Sequence, residues 1–345
     1  MKLLVTGGAG FIGSAFVRRR IAATDDTIVV LDKLTYAGNL ANLAPVSDDP
    51  RVAHRLEFVR GDIAEADDVR PLVGDVDAIL NFAAESHVDR SILDAEAFLR
   101  TGVIGVHVLL EAARERAAKA PIRFLQVSTD EVYGDIKEGR SVEADPIAPR
   151  SPYAAAKAAG EVLARSYHST FGLDVVVTRG ANTFGPYQYP EKLIPLFVTN
   201  ALDDHELPMY GDGLQERDWL HVDDHADGIG LVLDRGEAGA VYNLPGGSGR
   251  TNRAITTVIL ETLGKPWSLV RSVPDRPGHD RRYAMAGGAC EALGWTAKVP
   301  FEDGLVETVH WYRDNRPWWE AARSGEWDAY YERQYGQRLS ESVSA

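Results

Sequence analysis

Three glycines at the junction of an apolar strand and a helix constrain this chain more than any other feature. KLLVTGGAGFIGSAFVRRRIA reads as strand, glycine turn and helix, with Gly7, Gly10 and Gly13 evenly spaced through the turn. Glycine there permits a tight turn and lets a pyrophosphate approach the helix N-terminus, where free N–H groups and the helix dipole favour negative charge. Taken alone, the pattern is equally a tight strand-to-helix turn. Its context is complete, however: a second apolar strand, TIVVLD, ends in Asp32 about twenty residues on, where a carboxylate accepts both ribose hydroxyls of an adenosine. Asp32 favours NAD over NADP because a 2′-phosphate would meet its charge, while Lys33 beside it works against that preference. Asp62 follows the third strand and is placed either to reach an adenine edge or to sit in a surface turn.

The same rhythm continues along the first half. LEFVRGD, DAILNFAAE, IRFLQVS and LDVVVTRG read as strands. Between them lie a short amphipathic helix, EADDVRPLV, a longer helix near 94–118, and a helix with Ser151 as N-cap, Pro152 first and Gly172 as stop. Strands that are apolar throughout, with helices between them, predict a parallel sheet covered on both faces. The expected fold is α/β: a Rossmann-type doubly wound parallel sheet with a smaller C-terminal substrate-binding lobe. The dinucleotide domain is expected over 1–180, with room for later segments to return to it. Residues 181–345, where Pro, Gly and Asp punctuate short segments, supply mainly the substrate lobe and a C-terminal helix near 301–315.

Charge and cysteine content exclude several function classes. The 345 residues carry 37 Lys and Arg against 51 Asp and Glu, a formal charge of −14, with no basic stripe to neutralise phosphates. Nucleic acid and anionic membranes are therefore not expected partners, whereas an anionic small molecule remains compatible. The single cysteine, Cys290, allows neither an intrachain disulfide nor a CxxC metal pair and fits a reducing, cytoplasmic setting. No stretch approaches the ~18 apolar residues of a membrane span.

Two groups of residues carry candidate chemistry. Tyr153 and Lys157 stand at i and i+4 and share a helix face, so the ammonium can stabilise a phenolate. Such pairs arise by chance, but this one follows a strand ending in Ser128 and Thr129 within a dinucleotide fold. Directly after that strand come Asp130 and Glu131, beyond the carboxyl end where open parallel sheets bind ligands. They are either solvated loop acids or an acid and a base whose proton affinities are pushed apart by repulsion.

TGGAGFIG, the acid after the second strand, STDEVYG and SPYAAAK together resemble the extended short-chain dehydrogenase/reductase family. LDKLTYAGN, FAAESHVDRS, GPYQYPEKLIPLF, YGDGLQERDWLHVDDH and DRPGHDRRY make it similar, more narrowly, to the dTDP-glucose 4,6-dehydratases of that family. The resemblance implies NAD as cofactor, held by Gly7, Gly10, Phe11, Ile12, Gly13, Asp32, Lys33, Thr35, Asp62, Ile63, Ala83, Ala84, Ser86, Thr101, Tyr153 and Lys157. It implies oxidation of the sugar at C4, loss of water across C5 and C6, and hydride return to C6. Tyr153 acts with Lys157 and Thr129, Asp130 is the acid and Glu131 the base. Nucleotide-sugar contacts carried over are Ser86, His87, Thr129, Asn182, Glu191, Lys192, Leu193, Pro208, Tyr210, Arg217, Asn252, Arg276, His279 and Tyr283. A homodimer is implied, through the helices near 94–118 and 151–171.

No step of that chemistry requires a metal. His221, Asp223, Asp224 and His225 in HVDDH read as a strand-to-helix junction whose acids complement the helix dipole. Trp318 and Trp319 read as packing anchors rather than a sugar platform. The chain departs from the family pattern at Gly102, where Asn is usual and takes part in a proton relay, at Thr183 for a second Asn, and at Ala156 for Ser. Two alternatives stay open. Nucleotide-sugar 4-epimerases and UDP-glucuronate decarboxylases need the same NAD and Tyr–Lys step, and the decarboxylases commonly keep the Glu but carry Ser where Asp130 stands. A non-catalytic dinucleotide sensor would have little need for Thr129, Tyr153 and Lys157 together.

Overall fold

A computed structural model describes residues 1–323, 326–340 and 343–344. Its centre is a seven-stranded, wholly parallel sheet. Six strands come from the first half: β1 (Lys2–Thr6), β2 (Thr27–Asp32), β3 (Leu56–Arg60), β4 (Ala78–Asn81), β5 (Arg123–Thr129) and β6 (Asp174–Gly180). Two later strands follow in the chain, β7 (Asn182–Phe184) and β8 (Leu207–Tyr210), then β9 (Glu216–His221) and β10 (Val241–Leu244). The last of these returns to pair with β6, giving the order β10-β6-β5-β4-β1-β2-β3.

Both faces of this sheet are covered, which is why its strands are mostly apolar, least so at the edge strand β3 with its exposed Glu57 and Arg60. Leu3 and Val5 point to one side, against Phe16 and Ile21 of the helix Phe11–Ala23 and Ile229 and Val232 of the helix Val222–Arg235. Leu4 points to the other, with Val69, Leu109, Ala164 and Tyr167 of three further helices. Each such Leu or Phe, fully buried, stabilises the fold by roughly 1.5–3 kcal/mol. Because β1 changes direction of crossover between β2 and β4, the carboxyl ends of the strands open a crevice beside it, the place where such sheets take ligands.

The second layer of structure is smaller and woven from distant segments. β7 and β9 pair in parallel, and β11 (Gly249–Thr251) joins β9 antiparallel. Separately, β8 pairs in parallel with β12 (Val270–Val273). A third core of Phe184, Phe197, Trp219, Phe301, Tyr312, Trp319, Trp327 and Tyr335 lies beneath them. Trp319 is a packing anchor, its indole N–H donating to the Tyr312 carbonyl at 2.8 Å, whereas Trp318 lies against Tyr187 and Trp311 at the edge of a side cavity.

Two segments differ from the sequence expectation. The helix expected near 94–118 starts earlier and is interrupted: Val88–Leu93, Glu96–Leu99, a π-helical turn over Arg100–Gly105, then Val106–Ala117. The first break falls at Asp94, whose backbone is extended and whose carboxylate accepts from the Glu96 N–H at 3.0 Å. The aromatic tail beyond the helix Phe301–Asp314 folds as further short helices, including Arg316–Ala322 and Glu326–Tyr331. Burial of Trp327, Tyr330 and Tyr335 draws it back onto the molecule. Among the described residues no helix is long and apolar enough to cross a membrane.

Candidate active site

The glycine turn is built for close approach. Gly7 has a positive φ of 68°, and a Cβ there would sit 2.7 Å from the Ala83 backbone. A Cβ on Gly13 would come within 2.4 Å of the Gly7 carbonyl. Beside it, the Asp32 carboxylate is fixed at the tip of β2 by the Ala9 N–H at 3.0 Å and the Leu34 N–H at 2.8 Å. Lys33 donates to Asp62 at 2.8 Å, so the charge that stood against NAD is taken up by a partner. These residues line one cavity of about 320 Å³, together with Phe11, Ile12, Thr35, Ile63, Ala83, Ala84, Ser86 and Thr101. A cradle that side chains would fill, an anchored acid and a glycine-opened helix N-terminus fit a dinucleotide.

At the far end of the same cavity β5 stops at Thr129, and Asp130–Tyr133 form a single 3-10 turn. Thr129 Oγ1 accepts from the Glu131 N–H at 3.3 Å and donates to Asp130 Oδ1 at 3.1 Å. Gly134 closes the turn at a φ of 76°, where a Cβ would meet the Ala148 carbonyl at 2.4 Å. Asp130 is only 2% exposed, and its second carboxylate oxygen has no protein partner. Burial, then Glu131 and Asp218, push its carboxyl well above the usual range. Burial also raises Glu131, and it stays above its usual range although the Arg276, Lys192 and Arg217 cations oppose the rise. Adjacent carboxyls thus meet opposite surroundings: anions around Asp130 favour its acid form, and cations around Glu131 favour its base form.

Tyr153 and Lys157 enter from the helix Pro152–Phe171, whose Ser151 cap and left-handed Gly172 stop are in place. Tyr153 is hydrogen-bonded to Thr129. Its phenol is pushed up, by burial first and then by Glu131. That departs from the lowered value expected of a Tyr–Lys pair, because burial and the neighbouring Glu131 and Asp130 oppose ionisation of the phenol. Lys157 donates to the Val127 carbonyl at 2.5 Å, and burial lowers it to about 8 against the opposing pull of Glu161. The departures Gly102 and Ala156 face each other: a Cβ on Gly102 would lie 3.1 Å from the Ala156 Cβ. Small residues on both helices allow this approach, and the two exchanges act as one packing change.

Among residues expected at the sugar and diphosphate, Ser86, Asn182, Glu191, Lys192 and Leu193 line the cavity. Lys192 donates to the Ser86 carbonyl, and the Asn182 side-chain oxygen is buried without a partner. Arg217, Arg276 and Tyr283 stand behind Glu131 in the second lobe. Arg217 lies over the Tyr283 ring at 4.4 Å and donates to the Asp280 carbonyl at 2.9 Å, and Tyr283 donates to the Asp280 carboxylate at 2.5 Å. His279 pairs with Asp275 at 2.5 Å, and burial with the nearby Arg276 lowers its imidazole to about 4. His87, Pro208, Tyr210 and Asn252 do not line the cavity. Pro208 and Tyr210 belong to β8, and Asn252 opens the helix Asn252–Leu263 with its carbonyl bonded to Thr256.

The residues of HVDDH each have a protein partner. His221 caps its helix by accepting from the Asp223 N–H at 3.3 Å, and Asp223 pairs with Arg19 at 3.2 Å. Asp224 accepts from the Lys298 and Val299 N–H groups, and His225 Nδ1 meets Thr183 Oγ1 at 2.8 Å.

Sequence reasoning missed the support behind the acid turn. Arg179, 1% exposed, forks onto the fully buried Glu161 at 3.1 and 2.5 Å and donates to the Tyr133 hydroxyl at 2.5 Å. Tyr133 in turn donates to Asn243 of β10 at 2.8 Å. The signal was present, as an arginine within the apolar strand LDVVVTRG and a glutamate within the alanine-rich helix.

A family model described as GDP-mannose 4,6 dehydratase matches residues 4–308. A dTDP-glucose 4,6-dehydratase of Streptomyces niveus is 54% identical over 331 residues, covering 94% of this chain and 96% of that protein. The crystal structure of DesIV, a dTDP-glucose 4,6-dehydratase from Streptomyces venezuelae with NAD bound, superposes with a TM-score of 0.89 at 54% identity, covering 93% of this chain and all of that one. A Thermus thermophilus UDP-glucose 4-epimerase with NAD reaches a TM-score of 0.83 at 31% identity, over 91% of this chain and all of the epimerase. Shape alone therefore separates the two activities poorly, whereas sequence identity, 54% against 31%, separates them well. The chain belongs to the GDP-mannose 4,6 dehydratase family, among the dTDP-glucose 4,6-dehydratases of the extended short-chain dehydrogenases/reductases.

Proposed function

We propose that this protein converts dTDP-glucose to dTDP-4-keto-6-deoxyglucose, with the residues of the cavity in the following roles. The observation that carries the assignment is the pair Asp130 and Glu131, adjacent in the chain, one buried and one half-buried in a single cavity wall, with anions acting on the first and cations on the second. The C5 proton of glucose is not acidic until C4 is a ketone, so oxidation must come first. Bound NAD supplies a hydride acceptor at C4, a hydride donor at C6, and a positive ring that favours a nearby phenolate.

Tyr153 takes the C4 hydroxyl proton, with Thr129 hydrogen-bonded to it and Lys157 on the same helix face. Glu131, pulled toward its ionised form by Arg276, Lys192 and Arg217, removes the C5 proton. Asp130, kept protonated by burial and by its anionic neighbours, gives its proton to the departing C6 hydroxyl. General acid–base groups of this kind contribute typically ~10²–10⁴-fold each. Gly7, Gly13, Asp32 and Asp62 hold the dinucleotide. Ser86, Asn182, Glu191, Lys192 and Leu193 face the sugar and diphosphate, and Pro208, Tyr210, Arg217, Asn252, Arg276, His279 and Tyr283 serve the nucleotide side. An epimerase would need no acid and base on neighbouring carbons.

The protein acts in the cytoplasm as a homodimer. The buried, unpaired Cys290 supports a reducing compartment. Exposed Leu99, Ile104, Val162 and Phe171 support the dimer, because they lie on the helical segments 94–118 and 151–171 expected to form it. Incubating the protein with dTDP-glucose deuterated at C4 tests the reaction. Loss of water with deuterium at C6 and no net NADH is expected, and a C4 epimer that retains its water would overturn the assignment.

A further inference from the structure

One buried cluster outside the cavity joins four distant parts of the chain. At its centre is Asp89, 4% exposed, in the short helix Val88–Leu93 that follows β4. Its Oδ1 accepts from the Arg276 guanidinium at 3.0 Å. Its Oδ2 accepts from the Tyr210 hydroxyl at 2.7 Å and from the Gln334 amide at 3.0 Å. The same amide reaches the Tyr210 oxygen at 2.7 Å. Gln334 belongs to the C-terminal segment, whose Tyr335 ring packs on Tyr210 with centroids 6.2 Å apart. One turn earlier, Tyr330 meets His87 Nδ1 at 3.2 Å.

This carboxylate accepts from two residues assigned to the nucleotide side of the proposed site, Tyr210 and Arg276, and from Gln334. Arg276 is also the largest of the cations acting on Glu131. We propose that Asp89 and Gln334 are positioning residues for the nucleotide subsite, Asp89 fixing the Tyr210 ring and the Arg276 guanidinium and Gln334 clamping the C-terminal segment over them. This rests on the dTDP-glucose assignment above. A carboxylate paired and hydrogen-bonded in this way is held far below its usual range: its value is lowered to about 2, against burial, by His87, Arg276 and the Tyr210 hydroxyl. It therefore stays an anion across working pH and keeps the Arg276 fork aimed. Without it, Arg276 is a free cation of several rotamers, and Tyr210 is a ring without its tether. Neither group performs a proton transfer in the reaction, and Lys192 and Arg217 still act on Glu131 when Arg276 is displaced, so misplacement should weaken nucleotide binding more than it slows the chemistry.

The test begins with the wild-type holoenzyme, measuring dTDP binding by calorimetry and kcat and KM for dTDP-glucose. Asp89→Asn keeps the shape but removes the charge, and Gln334→Ala removes only the clamp. Asp89→Asn is expected to raise the dTDP Kd and the KM at least tenfold, with kcat within threefold and bound NAD unchanged. Gln334→Ala should raise KM a few-fold, and Gln334→Asn should recover less than Gln334→Glu loses, because a carboxylate at 334 would face Asp89. Wild-type-like KM and dTDP Kd in both variants would overturn the proposal, as would a fall in kcat at constant KM. If Asp89→Asn fails to fold, Gln334→Ala with the same readouts decides. A wild-type protein that binds no dTDP at all would instead remove the substrate assignment, and the proposal with it.

Discussion

The two halves of this active site are made in different ways. On the dinucleotide side, function resides in strand ends and backbone: glycines that leave room, an Asp32 held by two N–H groups, a turn whose register follows from β5. On the nucleotide-sugar side, function resides in side chains that meet across long sequence separations, Asp89 with Arg276 and Gln334, Arg217 with Asp280. The first half is positioned by a regular sheet, the second by pairing of charges and rings. The carboxylate pair sits on the seam, where Asp218 of the other side acts on Asp130 and Arg276 and Arg217 act on Glu131.

The largest expected effects break the seam itself. Tyr153→Phe should lower kcat by ~10²–10⁴-fold while bound NAD is retained, measured by single-turnover kinetics and cofactor content. Asp130→Asn should slow elimination on a similar scale but leave C4 oxidation detectable as transient NADH absorbance. The same exchange should also raise thermal stability. With its folded value above 3.8, Asp130 holds a proton in the native state that the unfolded chain has released. Stability therefore falls as pH rises from about 4 through the folded value, and the Asn variant, lacking that slope, should melt above wild type at pH 7. A lower melting temperature for Asp130→Asn would contradict the buried-acid account.

Smaller effects probe each side separately. Arg179→Ala leaves Glu161 charged and unpaired in the interior and should cost about 3–5 kcal/mol of stability by denaturant unfolding. Asp32→Ala removes charge-assisted hydrogen bonds worth about 1.5–3 kcal/mol. It should weaken NAD binding roughly tenfold to a hundredfold, with dTDP binding unchanged. The mildest expectation is a pH profile: with Lys157 at about 8, activity should decline on the alkaline side as its ammonium loses its proton. A kcat that stays flat to pH 9.5 would separate Lys157 from the Tyr153 step.

Much of the sheet side was legible beforehand because its signals are local. A strand buried on both faces has to be apolar at every position, a turn against a pyrophosphate has to be glycine, and a helix start advertises its cap, as Ser151 and Pro152 do. A return of later chain to the sheet was allowed for, but which segment returns, β10, could not be read, nor could the interruption of the helix at Asp94. Also hidden was the tail folding back so that Tyr330 and Gln334 reach His87 and Asp89. Local sequence gives no measure of which distant surfaces will meet, since tail burial depends on the shape of the third core and not on the tail's own periodicity.

The sequence by itself determined the crevice, its affinity for a dinucleotide and the presence of two acids and a Tyr–Lys pair near it, because each depends on residues close together in the chain. Only the tertiary structure decided that Asp130 is pushed well above the usual carboxyl range while cations oppose the rise of Glu131. That difference depends on Asp218 approaching Asp130 and on Arg217 and Arg276 approaching Glu131 from another lobe. Proton affinity in a buried site is set by neighbours in space, and those neighbours lie far away along the chain.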